Sequence, residues 1–224
     1  MEGNLLITFD EVLANPEIQV YVRKSDESLR ELSYTDHSEY HTRKTSAYAR
    51  EILSVLGYCT RDIELVQIAG YMHDIGNLVN RIDHAQIGAL MAFVFLREMG
   101  ASPNEICEII SAIGNHDVDS GSPVSAIASA LIIADKCDIN RERVVVNQKN
   151  KIDIHNRINF SVFESELSVA KESRTILFKM KMDTSQCTVM EYLNVFSPSI
   201  HMCQQAAEFL KAHFSLEINE TKFF

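Results

Sequence analysis

The residues of this sequence best suited to chemistry are histidines and aspartates at the ends of apolar segments. Asp135 closes the most apolar run of the chain, residues 124–134. A carboxylate there must be paired, hydrogen-bonded or bound to a cation, because a bare charge in a low-dielectric interior is costly. The negative end of the helix dipole adds to that cost. A metal ion would answer it, and so would a nearby lysine. His73 and Asp74 close a second apolar segment, residues 68–72. Imidazole nitrogen and carboxylate oxygen together suit Zn, Fe, Mn, Co or Ni. His41 opens a helix whose inward stripe includes Thr45 and Tyr48 at i+4 and i+7, so it faces the core, as a metal ligand or as a satisfied core histidine. His84 falls in the first turn of the next helix and His116-Asp117 ends the one after. Each of these alone reads equally as an ordinary helix-terminal residue. His37 shares a face with His41 if that helix starts early. His155, His201 and His213 fall outside the pattern.

The elements that position these groups read as helix after helix. Thr8 is placed to cap a short helix, and Asn15-Pro16 to start another. Residues 41–56 carry an apolar stripe (Tyr48, Ala49, Ile52, Leu53, Leu56) at helical spacing, ended by Gly57. Further helices are expected over 62–74 and, capped by Asp83, over 84–99, with Gly100 as the stop. Ser102-Pro103-Asn104-Glu105 reads as a capping box for a helix ending near Asn115. Asp119-Ser120-Gly121 is a turn. Ser122-Pro123 then opens a helix that is apolar all round through Ala134, and such a helix is buried on every side.

After about Arg141 the pattern changes. Residues 147–151 (Asn-Gln-Lys-Asn-Lys) form a polar boundary. Ile158, Phe160 and Val162 alternate with polar residues, as do Ile176, Phe178, Met180 and Met182, which is a strand period. A turn at 171–174 separates them. A last helix is expected after Ser197-Pro198, with Ile200, Cys203, Ala207 and Leu210 on one face, and a short strand at 216–218. The fold class is therefore mainly α: a helical domain over 1–145 with its core at about 35–145, and a small α+β element over 150–224.

The whole chain sets limits on partners. It has 224 residues, 46% of them hydrophobic, and a net charge of −10. An acidic surface disfavours nucleic acid polymers, whose phosphates need Lys and Arg. The five cysteines form no CxxC pair and read as thiols of a reducing, cytoplasmic setting. No signal peptide or membrane span is expected. A homodimer suits an acidic helical chain of this size.

Taken together, the order His41, His73-Asp74, Asp135 resembles the H…HD…D signature of the HD-domain superfamily of metal-dependent phosphohydrolases. The strings Tyr71-Met72-His73-Asp74-Ile75-Gly76, Asp83-His84-Ala85-Gln86-Ile87-Gly88-Ala89 and Ala134-Asp135-Lys136 resemble it as well. The resemblance covers roughly residues 35–145 and implies an all-helical fold. It further implies hydrolysis of a phosphate ester, such as a small nucleotide, by metal-activated water. By that resemblance His41, His73, Asp74 and Asp135 hold a first divalent metal (Mn, Fe, Ni, Co, Zn or Mg). His84 and His116 stand where a second would be held, with Asp74 bridging. Lys44, Lys136, Arg81 and Arg141 are the candidate phosphate-binding cations, while Asp117 and His37 are candidates to position water or carry a proton. The same ligands would serve a di-iron oxidative enzyme, and a nucleotide and metal sensor without turnover is the other alternative.

Overall fold

The structure, a computed structural model, describes residues 6–32, 34–144 and 154–224. Its helices begin where the chain supplies caps. Thr8 and Glu11 form a reciprocal box for α1 (Phe9–Ala14), and Asn15 accepts from the first amides of α2 (Pro16–Glu31). Ser38 caps α3 (Glu39–Leu56), and Gly57 ends it at φ 86°. Cys59 caps α4 (Thr60–Met72), and one 3-10 turn (Ile75–Leu78) precedes α5 (His84–Glu98). Ser102 caps α6 (Pro103–Gly114), while the Glu105 side chain is held by Arg61 at 2.6 Å.

The central helix is α7 (Ala126–Lys136), whose residues from Ile127 to Ala134 are all buried. It packs against α3, α4, α6 and the C-terminal α9 (Val189–Phe209). Close approach of α3 and α4 depends on Gly70: a Cβ there would lie 2.9 Å from Cα of Ser46. This contact brings the start of α3, with His41, alongside the end of α4, with His73. A four-stranded sheet follows in the order β1 (Val162–Ala170), β2 (Thr175–Met182), β3 (His213–Ile218), β4 (Thr221–Lys222). β1–β2 and β3–β4 are antiparallel, whereas β2–β3 is parallel, because α9 carries the chain back between them. Ile176, Phe178, Met180 and Met182 of β2 are buried, as their alternation requires. Among the described residues no helix is long and apolar enough to cross a membrane.

The architecture is the expected one, with four local corrections. The apolar helix starts at Ala126 with Ser125 as its cap, not at Ser122-Pro123, and Val124 before it is half exposed. Asp83 precedes α5 but makes no cap, because its φ of 59° turns the residue into the left-handed region. Ile158 and Phe160 belong to a helix, α8 (Ile154–Ser161), and the strand starts only at Val162. Three alternating residues also fit Ile154 and Ile158 one helical turn apart, and that reading prevails. Finally, α9 begins with a capping box at Thr188 and Glu191, so Pro198 lies inside it rather than at its start. The polar segment 147–151 lies outside the described residues.

Gly76 sets how close the 3-10 turn lies to α5. A Cβ there would sit 2.0 Å from the His84 carbonyl oxygen and 2.5 Å from the Gly88 amide nitrogen, both backbone atoms. Gly76→Ala should therefore cost about 3 kcal/mol through overpacking. For a chain of this size that is a fall of about 6–12 °C in a thermal melt. An unchanged melt would mean that the two segments separate freely.

Candidate metal centre

Six side chains from five elements converge below the surface. His41 comes from α3, His73 and Asp74 from the end of α4, His84 from the start of α5, His116 from just past α6, and Asp135 from the end of α7. The four histidines and Asp74 are buried. Three sets of ligand atoms each lie within 4.8 Å of one another: His41, His73 and Asp74; His73, His116 and Asp135; and Asp74, His84 and His116. Asp74 joins two of them through different oxygens. Its Oδ2 is 3.1 Å from Nε2 of His73 and 3.7 Å from Nε2 of His41. Its Oδ1 is 3.5 Å from Nε2 of His84 and 3.9 Å from that of His116. Asp135 Oδ1 faces His41 at 3.3 Å and His73 at 3.5 Å.

The far side of each imidazole explains why these atoms point inward. His41 Nδ1 donates to Asp138 Oδ2 (2.7 Å), His73 Nδ1 to the Gly70 carbonyl (2.8 Å), His116 Nδ1 to the Ile113 carbonyl (2.6 Å) and His84 Nδ1 to the Arg81 carbonyl (3.1 Å). All four partners only accept, so each Nδ1 carries a proton and each Nε2 is the atom turned to the cluster, offering a lone pair when the imidazole is neutral. Nε2 of His41, Nε2 of His73 and Oδ2 of Asp74 are buried without a hydrogen-bond partner. Buried orphans of this kind are rare and costly. Here they are chemically matched, two imidazole nitrogens and a carboxylate oxygen aimed at one volume, which is the donor set of a divalent metal.

Electrostatics agree. Burial disfavours a charged His73, yet the Asp74 and Asp135 carboxylates outweigh it and push its pKa up to about 10. Burial also opposes ionisation of both aspartates. His73 and His37 overcome it at Asp74, as do Lys136, His41 and His73 at Asp135, and both carboxyls lie well below the usual range. Burial lowers His84 and His116, and Arg81 and His73 respectively add to the effect. A proton on His73, held by the two carboxylates, would stand in the place of a cation, so a metal bound there would displace it. Calorimetric titration with Mn at pH 8, in buffers of different ionisation enthalpy, should show about one proton released per chain. Apparent affinity should rise about tenfold per pH unit from pH 6 to 8. A buffer-independent heat would show that His73 is already neutral.

Asp74, His84, His116 and Asp135 of the cluster line a pocket of about 420 Å³, together with His37, Arg81, Asp117, Lys136 and Arg143. His37 donates from Nδ1 to the Thr35 carbonyl and places Nε2 3.9 Å from Asp74 Oδ2. Asp117 lies in the pocket but does not hold His116, whose Nδ1 is taken by Ile113. Lys136 is 2.7 Å from Asp135 Oδ2, and Arg81 lies 3.3 Å from His84 Nε2. Two of the four expected phosphate-binding cations are elsewhere. Lys44 turns behind His41 to pair with Asp138 at 2.8 Å, and Arg141 stacks over Phe160 and Phe163. Both line a separate cavity of about 800 Å³ against the sheet.

Three supporting residues were not singled out from the sequence. Asp138 is fully buried and receives His41, Lys44 and Asn140. Asn77 donates to Asp74 Oδ1 at 2.8 Å. Arg143 ties the Asp36 carbonyl to that of Asp138. Asp138 had a signal in its i+3 spacing from Asp135. Asn77 and Arg143 had none.

The family model for the HD domain matches residues 39–140. Among solved structures, the chain is similar to the crystal structure of a predicted HD superfamily hydrolase from an uncultured Thermotogales bacterium. The two are 26% identical over 60% of this chain and 75% of that one, with a TM-score of 0.46. No curated protein matched. All six converging histidines and aspartates fall inside the segment that the HD domain model matches.

Proposed function

We propose that this chain hydrolyses a phosphate ester, of a small nucleotide, using one or two divalent metal ions held by His41, His73, Asp74, His84, His116 and Asp135. The observation that carries this reading is Asp74, whose two oxygens face two histidine pairs at the floor of a cation-lined pocket. The HD family is one of metal-dependent hydrolases, which supports the reaction class. Divalent ions bound there would supply a water acidic enough to act as hydroxide near neutral pH and would neutralise charge on phosphoryl oxygens.

The remaining chemistry falls to the chain's own groups. Arg81 and Lys136 give a net acidic protein a local positive entrance for phosphate and stabilise its developing charge. Asp117, free of a hydrogen bond to His116, accepts a proton from water entering over the cluster. His37 is partly buried, and desolvation holds it well below the usual histidine range, so its neutral Nε2 accepts from a donor in the pocket. Asn77 fixes the angle of the Asp74 carboxylate.

The test is metal content by elemental analysis, with phosphate release from a nucleotide panel after addition of Mn, Fe, Ni or Co. One to two metals per chain and metal-dependent phosphate release are expected. Bound metal with no phosphate released from any substrate would overturn hydrolysis in favour of a sensor or an oxidative centre.

A further inference from the structure

The pocket above the metal cluster is lined by two unlike surfaces. The HD domain contributes ligands and cations, whereas the opposite material comes from α8 and α9, in the third of the chain that carries no catalytic motif. Val195, Phe196 and Pro198 of α9 and His155 of α8 all line the pocket. Phe196 is held in place: its ring stacks on the buried Tyr192 (5.2 Å, 20°), and His155 meets it edge-on (5.6 Å, 75°). His155 is exposed, and its imidazole makes no hydrogen bond among the described residues. An apolar aromatic surface beside an exposed hydrogen-bonding ring suits a flat heteroaromatic group, which needs stacking on its face and a donor or acceptor at its edge. A volume of about 420 Å³ is at the small end for ligand pockets, which favours a mononucleotide over anything longer.

We infer that His155 and Phe196 form the base platform of this site and that the substrate is a nucleoside monophosphate, with the nucleobase on α8 and α9 and the phosphate at Arg81 and Lys136. This rests on the phosphate-ester reading above. It also gives the C-terminal element a role as the part that reads the leaving group.

The test measures binding rather than turnover. The protein with added Mn is titrated by calorimetry with a hydrolysis-resistant nucleoside phosphonate and with methylphosphonate, which shares only the head group. The nucleoside compound should bind at least about tenfold more tightly. His155→Ala and Phe196→Leu should remove most of that difference, leaving methylphosphonate affinity and metal content unchanged. Phe196→Leu keeps the bulk on Tyr192, so the fold is preserved while the aromatic face is lost. Equal wild-type affinities, or variants that bind the nucleoside phosphonate as tightly as wild type, would overturn the platform. Phosphate release is scored separately. Base-dependent binding without release would fail the hydrolase reading alone, and release without base-dependent binding would fail the platform alone.

Discussion

Asp74→Ala should empty both metal positions at once and lower phosphate release by at least about 10²–10³-fold, the scale set by losing one key electrostatic group in an active site. The expectation follows from sharing. Asp74 Oδ2 belongs with His41 and His73, and Oδ1 with His84 and His116, so one truncation removes an anionic ligand from each group. No neighbouring side chain replaces it at both groups, since Asp135 is grouped with His41, His73 and His116 but not with His84, and Asn77 carries no charge. The backbone at Asp74 is held independently: Ser25 Oγ donates to its carbonyl at 2.7 Å and Asn77 Nδ2 at 3.1 Å. The variant should therefore keep its circular dichroism spectrum while elemental analysis finds it stripped. A fully loaded, active Asp74→Ala protein would disprove the bridging role.

Asp138→Asn should weaken metal binding by about 10–100-fold, as expected when the partner of a liganding histidine is altered. Asparagine can still accept from His41 Nδ1, but it removes the negative charge that makes His41 a stronger donor. It also leaves the Lys44 ammonium without its counter-ion in a half-buried position. Activity should recover in excess metal, which separates a positioning role from a direct one. The same carboxylate shapes acid stability. Burial raises its pKa, but His41, Arg143 and Lys44 outweigh burial and hold it well below the ordinary range. A carboxyl depressed in the folded state contributes stability that is present above its unfolded pKa, about 3.9, and is lost as pH falls toward the folded value. Wild type should lose stability below about pH 4 more steeply than Asp138→Asn. Parallel acid-unfolding curves would show that the carboxylate is not coupled to folding.

Much of this cluster was legible in the sequence because the residues that converge in it are expensive ones in conspicuous places. A carboxylate ending a helix as apolar as α7, or a His-Asp pair ending α4, calls for a cation on energetic grounds. The supports were less visible because most are not side chains at all. The Gly70, Arg81 and Ile113 carbonyls fix three imidazoles, and a backbone oxygen is present at every position of any sequence. Lys44 shows the opposite failure. Its i+3 spacing from His41 correctly placed the two side by side on α3, yet spacing on one helix could not say that Asp138, 94 residues later, would draw the ammonium behind the imidazole. The helix over 154–161 was hidden for a related reason, since three alternating residues carry too little pattern to separate the two periods.

The pocket spans the chain in a way that bears on how the protein is made. Its lining runs from Tyr34 to Ser199, and the cluster it meets draws on α3, α4, α5, α6 and α7 together. Contacts over such long sequence separations carry their loop-closure entropy before they return any stabilisation, so they form late and slowly. During synthesis the helices through α7 leave the ribosome before α8 and α9, although α7 packs against α9. On the reading proposed above, the residues proposed to hold metal are all synthesised before the wall proposed to hold substrate.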